Sequence, residues 1–170
     1  MKTALSLFLF LFVPSISSGA DKSAGGFATH IGMGSLYGGD GGAAVEYQVL
    51  LRPMIRLSPF VAAGTVGMNQ QEAPSVDFGY CIGVNAEYGR FHRVFVGTSF
   101  GTQFLEWESD NPDKFQTLLG PSFVAGYKST SHSGFLWQIY LGITYIINYK
   151  YTENKSNPVP AFGFGIGYKL

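Results

Sequence analysis

A strict two-residue alternation of large apolar side chains with small or polar ones constrains this chain more than any other feature of its sequence. The last ten residues, AFGFGIGYKL, place Phe162, Phe164, Ile166, Tyr168 and Leu170 in one row, with glycines and a lysine between them. Successive side chains of extended backbone point to opposite sides, so the row indicates a β-strand with one large apolar face and one nearly bare face. Glycine is a poor strand former, so intrinsic propensity does not explain the pattern.

The same alternation recurs along the chain and predicts eight strands. The segment VDFGYCIGVNAEY alternates from Val76 to Tyr88, and FLWQIYLGITYIINY alternates from Phe135 to Tyr149. No helical stripe persists, because Gly, Pro, aromatic and β-branched residues recur too densely. The predicted strands cover residues 25–37, 43–51, 54–67, 76–88, 91–105, 114–127, 135–149 and 159–170.

The size of the two faces predicts which one lies inside. Side chains fill the interior of an eight-stranded barrel, and aromatic rows from every strand would overfill it. Glycine interleaved with Ser, Gln, Asn and a few charges fits that space, so we expect the apolar face to meet a bilayer. The strands are long enough for the roughly 9–11 residues that a tilted spanning strand needs. The sequence therefore predicts an all-β, eight-stranded antiparallel up-and-down transmembrane β-barrel.

The first twenty residues, MKTALSLFLFLFVPSISSGA, have the features of a secretory signal peptide. Lys2 precedes an apolar run over 4–13, and small residues follow Pro14. The run is shorter than the roughly 20 residues of a membrane-spanning helix, which is the alternative. We therefore expect a signal peptide over 1–20 and a barrel domain over 21–170.

Composition agrees with an exported barrel and argues against several classes of function. Only 13% of the residues are charged, and the formal net charge is +0, so there is no basic excess of the kind that favours nucleic-acid binding. Cys81 is the only cysteine, which excludes an internal disulfide. The chain has no nucleotide loop, zinc-ligand spacing or Rossmann glycine pattern, and we expect no cofactor and no bound metal.

The connections between predicted strands alternate in length. RP, GR and KSTSHSG connect strands on one side, whereas GGDGG, MNQQEAPS, LEWESDNPD and KYTENKSNP connect them on the other. Outer-membrane barrels have short periplasmic turns and longer outer loops. The first group is therefore predicted to face the periplasm.

The last strand also carries Gly165, Tyr168 and Leu170, a glycine followed by two hydrophobic residues at fixed spacing. With its eight strands and alternating connections, the mature chain resembles the small eight-stranded outer-membrane β-barrel proteins of Gram-negative bacteria, the group of OmpA-like transmembrane domains and opacity-type proteins. The resemblance implies a monomer in the bacterial outer membrane, in contact with lipid and lipopolysaccharide. It also implies that the barrel assembly machinery reads these three residues.

Projecting the alternation onto a barrel predicts a polar and ionic cluster in the lumen, near the periplasmic turns. Buried charges must pair or cost several kcal/mol each, so we interpret the cluster as a structural plug, with an ion path as the alternative. Its predicted members are His30, Glu46, Arg56, Glu87, Arg93 and Lys169.

The outer half of the lumen is predicted to be less polar. Pro59 and Pro121 interrupt two strands, and proline removes a ladder hydrogen bond. The two prolines indicate either bulges or breaks in the wall of the kind found in the lipid A palmitoyltransferase barrel. A possible apolar pocket there would be lined by Leu36, Gly64, Val66, Leu118, Gly120 and Ile146.

No residue is predicted to be catalytic. His132 and Ser133 are adjacent, but neighbours in a turn seldom point at one another, and no histidine is predicted to face the outer leaflet. The acidic residues of the loop LEWESDNPDK are interpreted as a solvated surface, with a divalent cation shared with lipopolysaccharide as the alternative. They are Glu106, Glu108, Asp110 and Asp113.

Three functions are compatible with the sequence. The first is an outer-membrane barrel with a structural or surface-interaction role, such as envelope integrity, lipopolysaccharide contact, adhesion or host interaction. The second is a lipid A-modifying enzyme or a hydrophobic-ligand conduit that uses the outer pocket. The third is a soluble, secreted lipid binder of lipocalin type, which requires the apolar rows to line the interior.

Overall fold

The fold is seen in a computed structural model that describes residues 25–67, 76–108, 111–150 and 157–170. Each strand pairs antiparallel with the next along the chain, and the last pairs with the first to close a barrel. The prediction of eight antiparallel strands is confirmed. The strands are β1 (Gly26–Gly34), β2 (Gly39–Arg52), β3 (Ile55–Val66), β4 (Asp77–Gly89), β5 (His92–Glu108), β6 (Asn111–Thr130), β7 (Phe135–Thr144) and β8 (Val159–Lys169).

The alternation in the sequence becomes an alternation of exposure along each strand. On β3, the side chains of Arg56, Ser58 and Phe60 are buried, while those of Leu57 and Val61 are exposed. In the β3–β4 and β4–β5 ladders, inward-facing residues pair with inward-facing residues and outward-facing residues pair with outward-facing residues. The small and charged residues therefore lie in the lumen, and the apolar rows lie on the outside.

The first strand is shorter than predicted, because the chain turns into the lumen after Gly34. The prediction of a strand over 25–37 is wrong at its end, since Ser35–Tyr37 forms a 3-10 turn. Gly34 has φ 99° and Gly38 has φ 77°, conformations that glycine adopts without steric cost. We call residues 35–38 the inner turn; it brings Tyr37 to full burial.

Strands β5 and β6 are longer than predicted. They continue to Glu108 and begin at Asn111, so the predicted loop over 106–113 is reduced to the connection 109–110. The ladder shifts register between Thr102 and Leu105, where a bulge lets two consecutive side chains turn inward. At its other end β6 continues to Thr130 instead of ending at 127.

The seventh strand ends earlier than predicted, at Thr144 instead of residue 149. The chain nevertheless continues alongside β6, because Tyr145 N donates to Pro121 O and Ile147 N donates to Leu119 O, at 2.9 and 3.0 Å. The loss of regular pairing coincides with Pro121, which has no N–H to donate.

The barrel has two different ends. At the turn end, connections 53–54, 90–91 and 131–134 join the strands, and the chain ends at Leu170. At the loop end lie the inner turn and connections 67–76, 109–110 and 145–158. In the part of the chain that the structure describes, no helix has the length and apolar character needed to cross a membrane. The predicted signal peptide, residues 1–20, lies outside the described residues.

Candidate functional site

The lumen contains a layer of paired charges near the turn end. Lys128 Nζ lies 2.6 Å from Glu46 Oε2 and 2.5 Å from Glu87 Oε1. Arg93 Nε lies 3.2 Å from the second oxygen of Glu87. All four side chains are buried, so one ammonium group compensates two carboxylates that would otherwise be costly to ionise inside the barrel. We call these four residues the ionic layer.

Hydrogen bonds connect the ionic layer across the lumen. Gln48 Nε2 donates to Glu46 Oε1 at 2.7 Å, and Arg93 NH1 donates to Gln48 Oε1 at 3.1 Å. A second guanidinium nitrogen of Arg93 donates to the Thr130 hydroxyl. Side chains from β2, β4, β5 and β6 are thus tied together, which suits a structural plug.

The six members of the predicted cluster are all buried, and Arg56 stands opposite Glu87 in the β3–β4 ladder. Glu46, Glu87 and Arg93 meet in the ionic layer, and His30 Nε2 lies 3.7 Å from Glu46 Oε2. The two remaining members, Arg56 and Lys169, are buried; the Arg56 guanidinium donates to the carbonyl of Gly89, at the β4–β5 turn, at 2.6 Å.

The central cation of the layer, Lys128, was missed by the sequence prediction. Predicted strand six ended at residue 127, which left Lys128 in a periplasmic turn, whereas β6 continues to Thr130. The sequence does contain the pattern that places Lys128 inside. Val124 and Gly126 are at inward-facing positions of β6, and Lys128 is the next residue in the same two-residue alternation. A strand extended by one alternation would have placed it inside.

The inner turn is anchored to the ionic layer through Tyr37. Its hydroxyl lies 2.8 Å from His30 Nδ1 and accepts a hydrogen bond from Gln138 Nε2 at 2.7 Å. The Tyr37 hydroxyl thereby connects His30 on β1 with Gln138 on β7. The inner turn therefore contacts the ionic layer through Tyr37 and His30, whose Nε2 lies 3.7 Å from Glu46 Oε2.

Two further residues hold the inner turn in the lumen. Thr102 Oγ1 donates to Gly38 O at 2.8 Å, and Leu36 N donates to the Tyr140 hydroxyl at 3.0 Å. A Cβ atom on Gly165 would collide with the Tyr37 hydroxyl. Glycine at this position of the predicted assembly signal therefore has a packing role as well.

An apolar layer fills the middle of the barrel. Phe60 and Phe95 point inward, which the sequence analysis did not predict, and they fit because Gly83 and Gly126 face their rings. This layer separates the ionic layer from the polar groups of Gln103 and its partners nearer the loop end. It comprises Leu36, Tyr37, Ala44, Phe60, Ala62, Cys81, Phe95, Val124 and Tyr140.

The residues predicted for an outer apolar pocket all project inward or line the wall. Leu36, Val66, Leu118 and Ile146 are buried, Leu36 through the inner turn and not through a strand. Carbonyl oxygens occupy the space beside the two glycines. A Cβ atom on Gly64 would collide with the carbonyl oxygens of Gly41 and Tyr37, and a Cβ atom on Gly120 would collide with the carbonyl oxygen of Tyr145. A pocket among these six residues stays a prediction.

The two prolines lie at different kinds of position. The β2–β3 pairing omits Pro59 and its neighbour Ser58, and it resumes on either side without a register shift. Pro121 pairs with Phe100 inside the β5–β6 ladder and lies just beyond the last regular β6–β7 pair. The role of either proline as a break in the wall stays a prediction.

The remaining histidines lie at the turn end. His92 Nδ1 is 2.6 Å from the Tyr127 hydroxyl and 3.3 Å from Ser129 Oγ. The His132 ring packs on Phe91, with centroids 4.4 Å apart, and Ser133 Oγ bonds to Ser131 Oγ.

Within the described ranges, no three His, Cys, Asp or Glu side chains are arranged to hold a metal ion. In the predicted acidic loop, Glu106 Oε2 accepts a hydrogen bond from Lys150 N at 2.8 Å. The side chains of Glu108, Asp110 and Asp113 lie outside the described residues.

Comparison of the sequence with protein-family models and with curated proteins gives no match in either set.

Proposed function

We propose that this chain is an integral β-barrel protein of a Gram-negative outer membrane, with a structural or surface-interaction role in the cell envelope. One observation carries the proposal: the outside of the barrel is apolar and the inside is charged. Ile82 and Leu141 are 58% and 71% exposed, whereas Lys128 and Glu87 are 0% and 1% exposed. Soluble monomers rarely expose contiguous apolar patches larger than a few hundred Å².

The outer apolar surface has a height that suits a bilayer. Along β4, apolar side chains face outward from Phe78 to Tyr88. At about 3.3 Å per residue and a tilt of about 40°, this stretch rises about 25 Å. Outer-membrane barrels carry an apolar band about 25 Å tall. We call the outward apolar surface the belt, and it supports a membrane-spanning barrel.

Closure of the wall supports the same proposal. Hydrocarbon offers no partners to backbone N–H and C=O groups, so a sheet can span a bilayer only when its strands close on themselves. Here β1 pairs with β8 from Ala28–Lys169 to Gly34–Gly163. A single copy closes the barrel, so we propose a monomer.

The lengths of the connections support an orientation. The turn end has connections of two, two and four residues, at 53–54, 90–91 and 131–134. The loop end has the two longest connections, 67–76 and 145–158, beside the short connection 109–110. Outer-membrane barrels turn their short connections to the periplasm. The loop end then contacts lipopolysaccharide, and Gly165, Tyr168 and Leu170 lie near the periplasmic end, where the assembly machinery would read them.

The filled lumen favours a structural or surface role over transport. The apolar layer lies between two polar regions, and Tyr37 and Thr102 fix the inner turn across the lumen. The lipid A-modifying alternative keeps its predicted pocket but gains no assigned nucleophile or base. A lipocalin-type binder needs the apolar rows inside, whereas Phe162 is 72% exposed on the outside.

Cell fractionation tests the proposal directly. The full chain, expressed in a Gram-negative host, is expected in the outer membrane, with electrophoretic migration that changes when the sample is boiled. A soluble periplasmic marker serves as the fractionation control. Recovery of the chain itself in the soluble fraction would overturn the proposal.

Epitope tags test the orientation and the role. A tag in connection 67–76 is expected to bind antibody on intact cells, and a tag in connection 131–134 only after the outer membrane is opened. The reverse pattern would contradict the orientation. Mass spectrometry of lipid A from cells with and without the protein separates the alternatives, because a lipid-modifying enzyme alone changes the acyl composition.

A further inference from the structure

The three connections of the turn end contact one another and form one surface. Gly89 N donates to Met54 O at 2.8 Å, which joins the β4–β5 turn to the β2–β3 turn. The ring of Phe91 packs on the ring of His132, with centroids 4.4 Å apart, which joins the β4–β5 turn to the β6–β7 turn. From the lumen, Arg56 NH1 donates to Gly89 O at 2.6 Å and holds the central turn in place. We call residues 52–54, 89–91 and 131–134 the turn surface.

The exposed charges of the turn surface are basic. Arg52 and Arg90 are exposed, at the end of β2 and directly after β4. Leu170 places the terminal carboxyl group at the end of β8, where Leu170 N donates to Phe27 O on β1. The positive charge is therefore concentrated on the β2–β5 side of this end. The acidic side chains that the structure describes lie in the lumen or at the loop end, and they are Glu46, Glu87, Asp40, Asp77 and Glu106.

Apolar side chains accompany both arginines. Leu51 and Met54, which precede and follow Arg52 along the chain, are 55% and 44% exposed, and Phe91 follows Arg90 directly. Exposed apolar side chains are unfavourable in water. At the boundary of a bilayer they contact the acyl region, while neighbouring guanidinium groups extend to the headgroups. The combination therefore fits a layer of lipid headgroups better than a water-soluble acidic partner.

Arg90 lies at the height of lipid headgroups. Tyr88 is the last outward side chain of the belt on β4, and Arg90 follows two positions later, a rise of about 5 Å along a strand tilted by about 40°. The headgroup layer extends about 5–7 Å beyond the hydrocarbon on each side of a bilayer. Near the same end, the rings of Tyr127 and Trp137 pack with centroids 5.3 Å apart, and such aromatic residues are typical of the bilayer boundary. The Arg90 guanidinium therefore reaches the phosphate level when the belt spans the hydrocarbon.

We propose that the turn surface binds the headgroups of anionic phospholipids, with Arg52 and Arg90 contacting their phosphate groups. This inference rests on the proposed function, since a spanning barrel is what brings the turn surface to the headgroup layer. Guanidinium groups bind phosphate oxygens through paired N–H donors. In a zwitterionic headgroup the ammonium group opposes both arginines, whereas an anionic headgroup has no such group. The turn end therefore selects anionic over zwitterionic lipid.

Photolabelling in vesicles tests this inference. The folded chain is placed in vesicles of equal parts phosphatidylglycerol and phosphatidylcholine, and a trace of one of the two lipids carries a diazirine next to the ester of one acyl chain. Labelled peptides are mapped by mass spectrometry, and the ratio of phosphatidylglycerol label to phosphatidylcholine label is compared between the two ends of the barrel. We expect this ratio to be about fivefold higher at the turn surface than at the loop end. High salt should lower it, because exposed charges are screened.

Three variants assign the preference to the arginines. Arg52→Gln with Arg90→Gln is expected to reduce the ratio at the turn surface to that of the loop end. Arg52→Lys with Arg90→Lys keeps both charges and should keep most of the preference. Lys150→Gln removes an exposed cation from the loop end and should leave the ratio at the turn surface unchanged.

The outcomes separate this inference from the proposed function. Label at both ends in equal ratios would overturn the lipid preference alone and would favour an acidic protein as the partner of the turn surface. A preference that persists in the double glutamine variant would overturn its assignment to Arg52 and Arg90. Absence of label from the whole barrel would overturn the membrane-spanning proposal and this inference together.

Discussion

The outer face and the lumen of this barrel are built by the same eight strands, yet they rely on opposite interactions. Outside, Ile139 and Leu141 carry large apolar side chains with no protein partner to cover them. Inside, Lys128 and Glu87 are buried and paired at 2.5 Å. A residue moved by one position along a strand changes from one environment to the other. The outer face therefore tolerates any apolar side chain, whereas the lumen requires specific partners.

The largest effect is expected where one luminal side chain compensates two others. Lys128→Met leaves the Glu46 and Glu87 carboxylates without their shared cation, and it should lower the free energy of unfolding by about 3–5 kcal/mol. Denaturant titration of the barrel in vesicles, read by heat-modifiable migration, measures the change. Lys128→Met with Glu46→Gln removes one charge of each sign and should recover much of the loss. A double variant as unstable as the sum of the two single changes would contradict the pairing.

A charge on the outer face should cost somewhat less. Ile139→Arg places a guanidinium in the middle of the belt and should lower the free energy of unfolding in vesicles by about 2–4 kcal/mol. Ser131→Arg, in the exposed turn between β6 and β7, should change it by no more than about 0.5 kcal/mol. Equal costs at the two positions would show that no bilayer covers the belt.

Removal of one luminal hydroxyl tests the anchoring of the inner turn. Tyr37→Phe deprives His30 and Gln138 of their common partner, and it should cost about 1–3 kcal/mol, the penalty for unpaired buried polar groups. Tyr47→Phe removes the same atom from an exposed ring of β2 and should be nearly neutral in the same titration. A neutral Tyr37→Phe would mean that the inner turn is held by packing alone.

The smallest effect is expected at the turn end of the outer face. The Tyr168 hydroxyl donates to Ser133 O in an exposed position. Tyr168→Phe should therefore cost only about 0.5 kcal/mol in the denaturant titration. A loss comparable with that of Tyr37→Phe would remove the distinction between the exposed rim and the lumen.

The sequence predicted the strand number and the identity of the two faces because both follow from period-two alternation. β4 begins and ends within one residue of the predicted segment 76–88. The inner turn was not predictable in the same way. Leu36 and Tyr37 are apolar and follow a good strand, and only their contacts across the lumen, with Tyr140 and Gln138, favour the turn over a longer β1.

The sequence predicted that the lumen contains a cluster of charged side chains, but it did not predict every member of that cluster. The two-residue alternation predicted that the side chains of Glu46, Glu87 and Arg93 face the lumen. It could not predict the distances between side chains on strands that are not neighbours. Lys128 was lost because a strand end was placed three residues too early. The β1–β8 ladder stops at Gly34 opposite Gly163, and no local pattern of residues encodes the end of a ladder between the first and last strands.

Accessibility along one strand tests the central claim most directly. After Cys81→Ser, single cysteines from 136 to 143 on β7 carry a spin label, and the barrel is folded into vesicles. Labels at the outward positions, among them 137, 139 and 141, are expected to be reached by oxygen dissolved in the lipid and not by a water-soluble nickel reagent. Labels at 136, 138 and 140 should be shielded from oxygen. Access of the nickel reagent to the outward positions would contradict the claim that the belt is covered by lipid.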